Sequence, residues 1–250
     1  MSQFRTEEDT LGPVQIPQEA LWGPQTERSR HNFPTGQFMP LAIIRALLNI
    51  KKAAAQANLE LNQIDDAKGK LIIEAIDQLL VLPDDDLRKD FPLKVYQTGS
   101  GTQTNMNTNE VVANLAKRLN PDVTVLPNDD VNKGQSSNDV YPTAMNIVAV
   151  EALDQLLPAV QHLIDELKAK QEQYWHVVKV GRTHLQDATP LTFGQEVSGY
   201  VAALEHDRDY LKQLQPTLLE LAIGGTAVGT GLNAAPGMPE KIAEKVSVVY

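Results

Sequence analysis

DVYPTAMNIVAVEALDQLLPAVQHLIDELKAKQEQ, residues 139–173, carries a sustained helical pattern opened by Asp139 and interrupted by Pro158. At 1.5 Å per residue such a helix is a rod of roughly 50 Å. That is too long for a compact small domain and suits an extended bundle. Pro158 lacks a backbone donor and is expected to kink the rod. A second long helix fits residues 191–214 and should stop near Pro216.

Upstream the pattern changes. The first forty residues are proline-rich and aperiodic, predicting irregular chain with a short hairpin near Val14 and Ile16. Between residues 39 and 61, Leu41, Ile44, Leu47, Leu48 and Ala55 recur at helical spacing. Asp65 or Asp66 is expected to cap a second helix that buries Ile72, Ile73, Ile76, Leu79 and Leu80 and stops at Pro83. The acidic run 84–86 reads as a solvated loop, and a third helix should span residues 105–119. The resulting fold class is mainly α. A small mixed N-terminal domain, 1–136, leads into an incomplete central helical bundle, 137–250.

Composition narrows the function. A formal net charge of −10 argues against nucleic acid and anionic membrane surfaces. It does not exclude a small dianion, because the field is screened over about 8 Å at cellular salt. With no cysteine there is no disulfide, thiolate metal site or cysteine-ligated cluster. The histidines (His31, His162, His176, His184, His206) form no HExxH pattern and no i, i+4 pair, so no metal is expected. The polar N-terminus does not resemble a targeting peptide. The uncharged stretch 221–239 holds five glycines and two prolines, which disfavours a membrane span. A cytoplasmic protein is the expectation.

Three polar segments carry the chemistry. TGSGTQTNMNTN (98–109) supplies Ser100, Gly101, Thr102, Thr104 and Asn105 at the start of the third helix. GQSSND (134–139) supplies Ser136, Ser137 and Asn138, with Lys133 close by, at the start of the long rod. GRTHLQDATP (181–190) supplies Thr183 and His184, with Thr189 and Pro190 reading as a helix cap and first helical residue. Each alone is explained by capping. Three starts this rich in Ser, Thr and Asn exceed what capping needs, and converging they would form a donor-rich pocket for carboxylates. Such donors would stabilise the aci-carboxylate formed when a proton leaves carbon beside a carboxylate. An imidazole is the side chain suited to exchanging protons with water at cellular pH, and His184 would handle the water. GGTAVGTG (224–231) lacks the GK[ST] ending of a phosphate loop and follows a helix, so it reads as a flexible interhelical connection.

TGSGTQTNMNTNEVVAN (98–114), PNDDVNKGQSSNDVYPTAMN (127–146) and GRTHLQDATPLTFGQE (181–196) resemble the class II fumarate hydratases of the fumarase/aspartase superfamily, as do WGPQTERS (22–29) and GGTAVGTGLN (224–233). The resemblance implies reversible hydration of fumarate to (S)-malate, a step of the tricarboxylic acid cycle, without metal or organic cofactor. It implies a homotetramer whose sites draw on three subunits. Carried over, Ser100, Gly101, Thr102, Ser136, Ser137, Asn138 and Thr183 would bind substrate, and His184 would be the catalytic acid/base. The related aspartate ammonia-lyases usually carry glutamine at the position of His184 and alanine at that of Ser100, so fumarase is the better fit.

Two departures stand out. The family's secondary dicarboxylate site reads HPND, whereas here it is Leu126, Pro127, Asn128 and Asp129, so that site is expected to be weak or absent. The family's C-terminal loop, with its proton-abstracting serine, has no counterpart before Tyr250, inside what reads as the next bundle helix. The isolated chain is therefore expected to be inactive. The alternatives are an aspartate ammonia-lyase-like enzyme and a non-catalytic dicarboxylate-binding or helix-pairing module.

Overall fold

The computed structural model describes residues 3–250. The chain forms two compact units, Met1–Val148 with Leu221–Tyr250, and Ala149–Glu220. It is mainly α, with long helices and two small hairpins.

In the first unit, β1 (Phe4–Asp9) and β2 (Gly12–Pro17) make an antiparallel hairpin with Phe4 opposite Pro17. Helix α2 (Leu41–Glu60) is the centre of the unit. Its Ile44, Leu47, Leu48 and Ile50 are almost fully buried against α3 (Asp66–Leu80), α5 (Thr102–Leu119) and α8 (Met238–Ser247). Each such side chain contributes roughly 1.5–3 kcal/mol through removal of apolar surface from water. Asp65 caps α3 as expected, accepting the Ala67 and Lys68 backbone N–H groups.

Other elements differ from the sequence reading. Residues 84–86 do not form a loop: they are the first turn of α4 (Asp84–Asp90). Three carboxylates at a helix N-terminus are favoured by its partial positive charge. Helix α1 (Pro24–Asn32) occupies part of the stretch expected to be irregular. Its N-cap, Gly23, has no side chain, and the cap comes from Glu110 of α5. The Glu110 carboxylate accepts from the backbone N–H of Gly23 (2.9 Å), Gln25 (2.9 Å) and Thr26 (3.1 Å), and from the Thr26 hydroxyl (2.6 Å). Burial holds the Glu110 carboxyl above the usual carboxylate range despite these donors. Helix α8, in turn, is not a bundle helix but packs on α2, with Lys241 and Lys245 both reaching Glu60.

Helix α6 (Ser137–Gln173) begins in the first unit and continues without a break in helical assignment through Pro158. In the second unit it lies antiparallel to α7 (Phe193–Leu218). Lys168 pairs with Glu205, Arg208 donates to Gln161, and Gln215 donates to Asp154. Pro216 lies inside α7 and does not end it. This pair leaves Leu156, Leu163, Tyr210 and Leu214 exposed. By length and hydropathy alone, α6 holds one window apolar enough to cross a membrane.

Between α6 and α7 lies a second hairpin, β3 (Val178–Thr183) and β4 (Gln186–Thr192). Thr189 and Pro190, expected to start a helix, are strand residues in β4. The start is three residues later, where Thr192 and Gln195 form a reciprocal capping box.

Candidate active site

A cleft of about 760 Å³ opens in the first unit, lined by Thr102 and Asn105 of α5, by Asn132, Lys133, Ser136 and Ser137, and by Thr226. Three chain turns bring these together. At Gly101 the backbone takes a left-handed φ of +74°, and a Cβ there would overlap the Tyr141 ring. Glycine thus lets the loop rest on α6 and start α5 at Thr102. Ser100 and Thr102 place their hydroxyls 3.0 Å apart.

Asp139 fixes the other two walls. Its buried carboxylate accepts the backbone N–H of Ser136 (2.9 Å) through one oxygen, and those of Gly224 (3.1 Å) and Thr226 (2.8 Å) through the other. Asn138 adds a bond to the Ala227 carbonyl at 2.7 Å. The glycine-rich connection is therefore pinned to the start of α6 and is not the free linker expected from its composition. Ser136, Ser137 and Thr102 line the cleft. Ser100, Gly101 and Asn138 flank those residues in sequence and support them.

Beneath the cleft lies a residue that sequence reasoning passed over. Lys51 sits on the apolar face of α2, fully buried. Its ammonium donates to Asn132 Oδ1 (2.6 Å) and Gln135 Oε1 (3.0 Å). Asn105 Nδ2 shares the Asn132 oxygen at 3.3 Å and donates to Ser137 Oγ at 2.9 Å. Burial lowers the Lys51 pKa to about 7, with the negative charge of Asp139 opposing the fall. Asn105 Oδ1 and Thr226 Oγ1 are buried with no protein partner.

Thr183 and His184 belong to the second unit, at the tip of the β3–β4 hairpin. His184 (φ +51°) and Leu185 (φ +61°) are the two turn residues, both left-handed, which is the signature of a type I′ turn. His184 is exposed, and Leu185 is 95% exposed. Side chains other than Gly, Asn and Asp rarely adopt this conformation, at a cost of about 1–2 kcal/mol each. The imidazole is thus held at an exposed tip, not beside a helix N-terminus.

Leu126 precedes a single π-helical turn, Pro127–Val131, and its backbone N–H donates to Asp130 (2.8 Å). Leu126, Pro127, Asn128 and Asp129 line a second cleft of about 520 Å³ in the first unit. Glu7, Glu8 and Asp9 stand on its wall with Lys117. Among the described residues there is no cluster of three or more metal-binding side chains.

The sequence model of a family described as lyase matches residues 12–250. The chain is 55% identical over 250 residues to a class II fumarate hydratase of Myxococcus xanthus, covering 97% of this chain and 53% of that protein. It is 51% identical over 254 residues to a class II fumarate hydratase of Nitrosomonas europaea, covering 99% and 54%. Among solved structures it is similar to a recombinant class II fumarase from Schistosoma mansoni, with a TM-score of 0.88 and 43% identity, covering 99% of this chain and 53% of that one. The chain spans about half the length of the curated relatives it matches.

Proposed function

We propose, for a chain that belongs to the lyase family, that the protein it forms part of hydrates fumarate reversibly to (S)-malate. The observation that carries this reading is the donor-rich cleft, where Thr102, Ser136 and Ser137 meet at the starts of two helices. Helix N-termini and neutral hydroxyls favour a bound carboxylate. The same donors, already aimed, stabilise the second negative charge that develops when a proton leaves the adjacent carbon.

In this reading Ser100, Gly101, Thr102, Ser136, Ser137, Asn138 and Thr183 bind substrate, and His184 is the acid/base that handles water. The exposed hairpin tip suits delivery of His184 to a cleft of a neighbouring subunit. The apolar side chains left open on α6 and α7 suit burial in a homotetrameric bundle, which also accounts for the hydropathy of α6 without a membrane. The tricarboxylic acid cycle and the cytoplasm follow as the setting. The second cleft, with Leu126 in place of a donor and Glu7, Glu8 and Asp9 on its wall, is poorly suited to a dianion.

The test is fumarate consumption, followed at 240 nm, by the protein purified from its source with its intact mass measured. Hydration abolished by His184→Asn is the expected result. Ammonia release from aspartate, or turnover unaffected by the substitution, overturns the reading. The 250-residue chain alone is expected to show negligible turnover.

A further inference from the structure

The Lys51 network has a definite polarity. An ammonium only donates, so the groups facing it must present oxygen. Asn132 therefore turns Oδ1 toward Lys51, and its Nδ2 donates to the Gln135 carbonyl (3.2 Å). Asn105 must then meet Asn132 Oδ1 with its own Nδ2, because the opposite orientation would set two carbonyl oxygens face to face. The same Nδ2 donates to Ser137 Oγ. With that oxygen already accepting, the Ser137 hydroxyl hydrogen is left to point elsewhere, and Ser137 lines the cleft.

This arrangement leaves Asn105 Oδ1 buried and unpartnered, which a free amide would avoid by flipping. Flipped, that oxygen would accept the Ser137 hydroxyl and withdraw it from the cleft. The buried cation is what holds the costly orientation in place.

We propose that Lys51 is a positioning residue for the cleft: through Asn132 and Asn105 it fixes Ser137 as a hydrogen-bond donor toward a bound carboxylate. The proposal rests on the carboxylate reading of the cleft given above. Lys51 itself touches no ligand, because its side chain is fully buried.

Charged groups around Lys51 are few. Asp139 of α6 is the one whose field reaches it. Helix α3 commits Asp77 to Lys52 and Lys68 to Asp130 of the π turn, α8 commits Lys241 and Lys245 to Glu60, and α5 meets it through Asn105. An ammonium holding the donor in place ties carboxylate affinity to its own protonation. Affinity is then full below a pH of about 7 and falls as pH rises through the lysine's ligand-bound pKa.

The experiment compares the natural-length protein with Lys51→Met, using succinate as an unreactive dicarboxylate probe. Calorimetric titration runs from pH 6 to 9, and circular dichroism checks the fold. Lys51→Met is expected to bind succinate about tenfold more weakly at pH 6 and to lose the fall in affinity above pH 7. In the unsubstituted protein, lysine ¹³Cε resonances provide a second measurement that does not depend on a variant folding. One should titrate near 7 and move to higher pH when succinate saturates the site.

Equal affinity and an unchanged pH profile in a folded Lys51→Met variant would overturn the proposal. So would the absence of any low-titrating lysine that responds to succinate. If the folded, unsubstituted protein binds no dicarboxylate at all, the carboxylate reading itself fails and this inference falls with it.

Discussion

Replacing Asp139 by Asn tests the keystone of the cleft with a change of one atom type and no change of size. The carboxylate accepts three backbone N–H groups, from Ser136, Gly224 and Thr226. An Asn can put its oxygen at the position facing Gly224 and Thr226. Its NH₂ then opposes the Ser136 N–H, leaving a donor unsatisfied at about 1–3 kcal/mol. The two retained bonds lose their charge assistance, about 1 kcal/mol each. Lys51 also loses its opposing charge, and an unpaired buried cation destabilises further. The sum is roughly 3–5 kcal/mol, a large part of the ~5–15 kcal/mol that holds a domain folded. Urea unfolding at pH 7, followed by far-UV circular dichroism, measures it. Asp66→Asn, in an exposed pair with Lys70, serves as the control and should shift the unfolding midpoint far less than Asp139→Asn. A loss of less than about 1 kcal/mol for Asp139→Asn would refute the reasoning, showing that the carboxylate does not tie the cleft walls together.

Two further substitutions probe backbone conformation. Gly101→Ala sets a Cβ against Tyr141 at a left-handed position, and should cost about 2–4 kcal/mol in thermal unfolding and weaken succinate binding in calorimetry. An unaffected melting temperature would show that the loop has room to move. Leu185→Gly relieves the strain at an exposed turn position and should stabilise the hairpin by about 0.5–1 kcal/mol after the entropy of glycine is counted. Amide hydrogen exchange of residues 178–192 reads this locally, and faster exchange in the variant would contradict it.

What could be read from the residues was what local rules govern. Helices α2 and α3 follow from apolar spacing and the Asp65 cap. Of the three hydroxyl-rich segments expected to converge, those around Thr102 and Ser136–Ser137 line one cleft, whereas Thr183 and His184 lie at a hairpin tip of the second unit. The β3–β4 hairpin escaped because its turn is His-Leu, without the Asn-Gly or Asp-Gly that a type I′ turn usually announces, and Thr-Pro imitated a helix start. Lys51 escaped because a lysine beside Lys52 on an amphipathic helix reads as solvent-facing. Only packing on three sides reveals that one of the pair is interior. Its partners Asn132 and Gln135 are some eighty residues away, beyond any sequence window.

The cap that Glu110 provides for α1 has a consequence in time. Nine residues with a glycine cap do not hold a helix alone in water, since isolated helices that short are marginal. The partner lies 84 residues downstream of Thr26. At synthesis rates of 5–20 residues per second, Glu110 leaves the peptidyl transferase centre roughly 4–17 s after Thr26. During that interval residues 24–32 lack the cap of their native helix and have only nearby partners, Arg28 reaching Asp9 and Gly12 of the hairpin and the Trp22 indole donating to Glu27. The N-terminal helix is thus completed later than its place in the chain suggests. A chaperone or protease meeting the nascent chain would find this first-made end still without its cap until α5 is available.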